Sequence, residues 1–269
     1  MRKQVLHLIC DYAMGDLAWS EILDSLAELI EPDVRMIQTA VKSFDTIATG
    51  FVVAQLAMRP RKNMRVLVFA NCAPRKDNSQ ARADNEGEGL VYAKLTNGVE
   101  LLVVNSGYSL SFVKKHIVSL YRTKASSRGS QFRSRDNFPS VIARCLEITA
   151  GMEAYDFLDG ELDVNSIPDM PERVVAYVDS FGNIKTSVQE GAPMLEGVEM
   201  GTRVRVLTGD KVRGATVTDG SFSVPEGDIA FAPGSSGWGT NFWELFKRGG
   251  EAVSEFGHPP TGTKIEIVK

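Results

Sequence analysis

What most constrains this chain is an alternation of strand and helix signals that begins with its first residues. Val5 to Cys10 is a short apolar run of strand type, broken by Asp11, Gly15 and Asp16. Trp19, Ile22, Leu23, Leu26, Ala27 and Ile30 then recur at three- and four-residue spacing, which puts them on one helical face. Asp16 is placed to cap that helix and Pro32 to stop it. Val34 to Ile37 reads as a second strand, Asp45 to Met58 as a second helix and Met64 to Ala70 as a third strand. Such alternation predicts parallel strands joined by crossover helices, the α/β class.

The next stretch, residues 71–89, is polar and Gly/Asn-rich and predicts a long exposed loop. Leu90 to Leu95 and Val99 to Val104 flank Asn97-Gly98, a strong hairpin signal. Ser109 to Tyr121 reads as helical, and a helix entered at Pro139 is expected to end at Gly151. Two prolines, Pro168 and Pro171, mark a composition shift. Beyond them, short runs at 174–178, 184–188, 203–207, 215–218, 221–224, 229–232 and 264–268 are separated by Gly, Asn, Asp or Pro, the spacing of a barrel or compact sandwich. One helix, Phe242 to Phe256, is expected among them. The reading is an N-terminal α/β domain with a mainly parallel sheet over residues 1–162, a linker at 163–172, and a smaller C-terminal β-barrel domain at 173–269.

Several function classes fall away on composition. The 269 residues carry 30 basic and 34 acidic side chains, so no global positive field exists for nucleic acid. Cys10, Cys72 and Cys145 form neither a CxxC pair nor a disulfide framework and read as reduced thiols. His7, His116 and His258 are scattered without metal-ligand spacing, so no metal is expected. The apolar Val5 to Cys10 is too short for a signal peptide or a membrane span, and a cytoplasmic protein without membrane contact is expected.

Asp11 stands at the carboxyl end of the first strand, where open α/β sheets bind ligands, and a carboxylate there can accept both hydroxyls of a ribose. The plain alternative is a turn-forming aspartate. In VAYVDSFGNIKTSV, Gly182-Asn183 makes a turn between strands, while Asp179, Phe181 and Asn183 bring together a carboxylate, an aromatic face and an amide. Ring and amide suit adenine and the carboxylate suits an ammonium; the alternative is an ordinary hairpin turn. Ser235 and Ser236 lie in a Gly/Ser stretch able to hold a carboxylate or phosphate. Arg128, Arg133 and Arg135 form a basic loop, either an anion clamp or a solvated face.

Taken together, these segments resemble the S-adenosyl-L-methionine (SAM) hydroxide adenosyltransferase family, which includes the fluorinases and chlorinases. CDYAMGD resembles the family's TDFG-x-x-D opening, with Asp11 on its ribose-binding aspartate. SFDTIATGFVVAQ resembles PFDVREAAFVLA through Phe44, Asp45, Phe51 and Ala54, and FRSRDNF resembles FHGRDIF through Phe132, Arg135, Asp136 and Phe138. DSFGNIKTSV is similar to D-x-FGN-x-x-TN, and GSSG with WELFKRGGEA to the NSxG-x-LEIA segment. The resemblance implies a homotrimer with no cofactor, in which SAM, as substrate or ligand, is bound between one subunit's first domain and a neighbour's second. It also implies attack at C5′ of SAM by water or halide with loss of methionine. Asp11 would hold the ribose, Phe181 and Asn183 the adenine side, and Asp179, Ser235 and Ser236 the methionine end.

All three hydrolase groups are missing or unplaced: no arginine stands in the family's arginine position, and the family's PDNG reads Val104-Asn105-Ser106-Gly107. Asn71 stands at the DPGVG aspartate and Arg133 at the FHGRD histidine. An amide does not take a proton from water, and a guanidinium stays protonated, so neither is a general base. The sequence therefore supports either a SAM hydrolase with degenerate catalytic positions or a non-catalytic nucleoside-binding or scaffold trimer.

Overall fold

The runs 3–10, 64–71, 90–95 and 100–104, rich in Val, Leu and Ile, form strands buried along most of their length, as expected where both faces of a sheet are covered. In the computed structural model, which describes residues 3–59, 61, 63–76, 78–147 and 155–268, the chain divides into two units, Met1–Asp169 and Met170–Lys269. The first begins with β1 (Lys3–Cys10), α1 (Leu17–Ala27), β2 (Val34–Ala40), α2 (Thr46–Ala57) and β3 (Met64–Asn71). A hairpin, β4 (Leu90–Leu95) and β5 (Glu100–Val104), follows, then β6 (Ile117–Thr123), α3 (Arg133–Asp136), α4 (Phe138–Glu147) and β7 (Leu158–Glu161).

Their sheet runs β2-β1-β3-β5-β4-β6-β7. The β1–β2, β1–β3 and β3–β5 pairs are parallel, whereas β4–β5, β4–β6 and β6–β7 are antiparallel. The sheet is therefore mixed and not mainly parallel. The Asn97-Gly98 turn reverses the chain, so that β4 lies antiparallel between β5 and β6 and ends the parallel run.

Asp16 caps α1, its Oδ1 accepting the Ala18 N–H at 2.9 Å. The apolar stripe of α1 (Trp19, Ile22, Leu26) shares a core with Phe138, Ile142 and Cys145 of α4 and with Leu6, Leu8, Leu67 and Phe69 of the sheet. Because β2 and β3 lie on opposite sides of β1, right-handed crossovers put α1 and α2 on opposite faces. From the carboxyl ends of the neighbouring β1 and β3 the chain leaves β1 towards β2 on one side and leaves β3 towards the β4–β5 hairpin on the other, which opens a crevice between them.

α2 approaches its neighbours closely at Gly50, where an added Cβ would lie 2.2 Å from the Tyr108 carbonyl oxygen. A mid-helix Gly→Ala change ordinarily gains about 1 kcal/mol. Here Gly50→Ala is expected to cost roughly 1–3 kcal/mol through overpacking, read as a lower denaturant midpoint; a gain in stability would show that the contact relaxes freely.

The expected helix at Ser109 to Tyr121 is absent. Residues 107–113 form successive turns, Lys114–His116 a 3₁₀ turn, and Ile117–Thr123 the strand β6. The β-branched and aromatic residues from Ile117 onward pair with β4, and that pairing overrides helical spacing. α4 is described to Glu147; its expected last turn, from Ile148 to Gly151, lies outside the described residues.

The second unit contains β8 (Val175–Val178), β9 (Ile184–Gln189), β10 (Arg203–Thr208), β11 (Lys211–Val217), β12 (Ile229–Gly237), β13 (Asn241–Lys247), the short α5 (Ala252–Glu255) and β14 (Ile265–Val268). Its sheet, ordered β14-β10-β11-β12-β13-β9-β8, curls into a half-barrel. The starts of the two outer strands meet at a Val174–Lys264 bridge, with Ile265 N–H donating to the Arg173 carbonyl at 2.7 Å. The expected helix Phe242 to Phe256 is instead β13 followed by α5. Phe242, Trp243, Glu244 and Leu245 are all buried, so the segment has no polar face for a helix to turn outward. The expected strand at Ser221 to Val224 contains a 3₁₀ turn, Ser221–Ser223.

Among the described residues no helix is long and apolar enough to cross a membrane, and no group of three or more metal-ligating side chains is gathered.

Candidate functional site

The crevice at the carboxyl ends of β1 and β3 holds a cavity of about 330 Å³ in the first unit, a size in the range of small-molecule sites. Cys10 and Asn71 are register partners at the strand ends, and the Asp11 N–H donates to the Asn71 carbonyl at 3.2 Å. Asp11 therefore leaves the sheet at the crevice, with its carboxylate bordering the cavity.

Asp11 Oδ2 accepts the Phe44 N–H at 3.0 Å, and the Ser43 hydroxyl donates to the Asp11 carbonyl at 3.3 Å. Phe44 sits at φ 66°, a left-handed conformation costly for a bulky residue, with its ring exposed at the cavity wall. Burial raises the Asp11 carboxyl above the ordinary carboxylate value, and the Phe44 N–H opposes the rise.

Asn71 points its amide at Tyr12, Nδ2 donating to the phenol oxygen at 2.5 Å, and that phenol also bonds Ser134 Oγ at 2.8 Å. The Tyr12 ring meets Trp19 and Phe132 edge-on at 5.9 and 6.0 Å. Burial drives the phenol well above its usual pKa, so Tyr12 is neutral here. The three cysteines are buried. Burial pushes the Cys72 thiol up to about 12, which removes it as a nucleophile at neutral pH.

Of the three loop arginines, Arg128 pairs with Glu86 at 3.3 Å, and Arg135 pairs with Glu21 at 2.8 Å and Asp136 at 2.6 Å. Arg133 borders the cavity. Its guanidinium lies close to Gly87, where an added Cβ would fall 2.0 Å from Nη2, and Nη1 donates to the Asn85 carbonyl at 3.4 Å. The cavity thus brings together Asp11, Asn71 and Arg133.

The other expected residues belong to the second unit. Asp179 Oδ1 accepts the N–H groups of Phe181 and Asn183, each at 3.0 Å, and Oδ2 takes the Asn183 amide at 3.1 Å. The turn closes through Gly182 at φ 73°. Phe181 is 76% exposed, presenting a bare aromatic face. Lys185 Nζ bridges Asp179 at 3.6 Å and the buried Glu244 at 2.7 Å, and Ser236 Oγ donates to Glu244 at 2.9 Å. Asp179, Asn183 and Ser236 therefore share one polar network, while Ser235 is exposed beside it.

Sequence reasoning missed Tyr12, Ser134, Arg75, Glu88, Lys185 and Glu244. Glu88 is the most telling case: it lies in a polar segment with nothing local to mark it, yet it is buried against the cavity.

No family model and no curated protein matches the chain. Solved structures do. A conserved protein described as uncharacterized, from Thermotoga maritima, superposes with a TM-score of 0.76 at 19% identity, covering 98% of this chain and 100% of its own. A conserved hypothetical protein from Thermus thermophilus gives 0.68 at 18% identity, again over 98% and 100% of the two chains. At such identities the likeness establishes a shared fold.

Proposed function

We propose that the Asp11 cavity binds the ribose of an adenosine compound, with SAM the ligand that the sequence resemblance favours. The observation that carries this reading is the half-buried Asp11 carboxylate at the crevice between β1 and β3, bordering a cavity of about 330 Å³. An aspartate at the end of a parallel strand, at such a crevice, is suited to paired ribose hydroxyls. On this reading Phe181 and Asn183 take the adenine side and Asp179, Ser235 and Ser236 the methionine end, supplied by a neighbouring subunit's second unit in a homotrimer. The buried reduced thiols fit a cytoplasmic setting.

A second reading is a nucleoside-binding protein without catalysis. It is favoured by the Asn71 amide, committed as a donor to Tyr12, and by the Arg133 guanidinium, neither of which removes a proton from water.

Both readings require that SAM or adenosine raise the melting temperature. At a concentration 100 times Kd, stabilisation of about 2.7 kcal/mol is expected, accompanied by heat on titration and a trimer in light scattering. Saturating SAM and adenosine with neither a thermal shift nor heat would reject the nucleoside reading.

A further inference from the structure

Among the described residues, the ionisable side chains bordering the cavity are Asp11, Tyr12, Asp16, Arg75, Glu88 and Arg133. Arg75 and Arg133 carry guanidinium groups, which remain protonated. Tyr12 is hydrogen-bonded to Asn71 and Ser134. Asp16 caps α1, and Asp11 holds the Phe44 N–H on Oδ2.

Glu88 differs from all of these. It is 4% exposed, and its Oε1 accepts the Arg75 backbone N–H at 2.8 Å. Its Oε2 is buried and has no hydrogen-bond partner among the described residues. A buried carboxylate oxygen without a donor is costly, and on a cavity wall the missing donor arrives with the occupant. The Arg133 guanidinium lies close to Gly87, the preceding residue, so an acceptor and a set of N–H donors flank the same corner. That pairing can seat and orient one water molecule.

We infer that Glu88 is the general base of this site, taking a proton from a water held between it and Arg133 as that water attacks C5′ of a bound sulfonium nucleoside. A C5′–O bond forms while the C5′–S bond breaks, its electron pair passing to sulfur, so that methionine leaves as a neutral thioether. The proton rests on Glu88 and then passes to solvent, giving adenosine, methionine and one proton from SAM and water. The inference rests on the nucleoside reading above and adds the nucleophile: a general base serves water, which must lose a proton, and is not needed by a halide, which is already an anion.

The test measures SAM binding by calorimetry and adenosine release by chromatography for the intact chain, Glu88→Gln and Glu88→Asp. The expected result is release by the wild type, a fall in kcat of roughly 10²–10⁴-fold in Glu88→Gln, SAM affinity within about threefold of wild type, and partial recovery of kcat in Glu88→Asp. Thermal melts establish that each variant is folded, and Glu88→Asp, which retains the carboxylate, carries the comparison should the amide variant unfold. Unchanged release in Glu88→Gln, or a parallel loss of binding and rate in a folded variant, would overturn the assignment. Wild-type protein that binds SAM and releases nothing would overturn it while leaving the binding reading intact. Wild-type protein that fails to bind SAM or adenosine would overturn both.

Discussion

Replacing Asp11 by alanine is expected to abolish nucleoside binding. A carboxylate accepting two ribose hydroxyls makes two charge-assisted hydrogen bonds, each worth about 1.5–3 kcal/mol. Their joint loss corresponds to roughly 10²–10⁴ in Kd, measured by titration calorimetry with SAM or adenosine. Asp11→Asn is the sharper variant, because its amide oxygen can still accept the Phe44 N–H that holds the strained turn. It should fold normally and still lose most of the affinity. Binding by Asp11→Ala within threefold of wild type would remove the ribose assignment.

The pH dependence of this site has a definite sign. Burial raises the folded carboxyl of Asp11 above its unfolded value. Its contribution to folding stability is therefore fully present below the ordinary carboxylate value and is lost as pH rises through the raised one. On the proposed reading ligand binding runs the other way, since a protonated carboxyl would no longer accept from both ribose hydroxyls. On acidification the affinity for adenosine should begin to fall above the ordinary carboxylate range, while the Asp11 contribution to ligand-free stability increases. Asp11→Asn, which lacks the charge, should show neither trend.

The second large effect concerns stability. Arg65 of β3 reaches Glu100 at the start of β5, with Nε and Nη2 3.1 and 2.9 Å from Glu100 Oε2. The same guanidinium donates to the carbonyls of Cys145 and Leu146 at 2.6 and 2.7 Å, closing the last turn of α4. The Tyr92 hydroxyl bonds the other Glu100 oxygen at 2.9 Å, and burial together with the Glu100 charge drives that phenol far above its usual pKa. The side chains of Arg65 and Glu100 are 19% and 9% exposed, so the pair is screened little by water.

Glu100→Ala removes the carboxylate that Arg65 and the Tyr92 hydroxyl share. The expected cost is about 3–5 kcal/mol, or roughly 6–20 °C in melting temperature for a unit of this size. The double variant Arg65→Met, Glu100→Met should lose less than the sum of the two single variants, because no charge is then left uncompensated. Additive losses in the double-mutant cycle, or a melting temperature within about 2 °C of wild type for Glu100→Ala, would show that the network does not hold α4 to the sheet.

Features written in a few neighbouring residues were legible in the sequence. The Asp16 cap, the Asn97-Gly98 hairpin, the turn at Gly182-Asn183 and the β1-α1-β2-α2-β3 order depend on local hydrogen bonds, left-handed backbone conformations and hydrophobic period, each carried by a short window. Asp11 was legible for the same reason, since its place follows from the end of one apolar run. Segments whose state depends on a distant partner were not. Ile117–Thr123 and Asn241–Lys247 have apolar runs that fit helix or strand alike, and the strands waiting at β4, β9 and β12 decide between them. The balance of parallel and antiparallel pairing depends likewise on where the hairpin docks along β3. Glu88 is the extreme case. Its own neighbours are glycine and polar residues, and only its packing against the Arg75 backbone and the cavity wall, which an arginine 45 positions further along the chain also borders, turns a solvated glutamate into a buried one. Burial and partnership are properties of the assembled chain, because desolvation depends on what packs around a group and not on its neighbours in sequence.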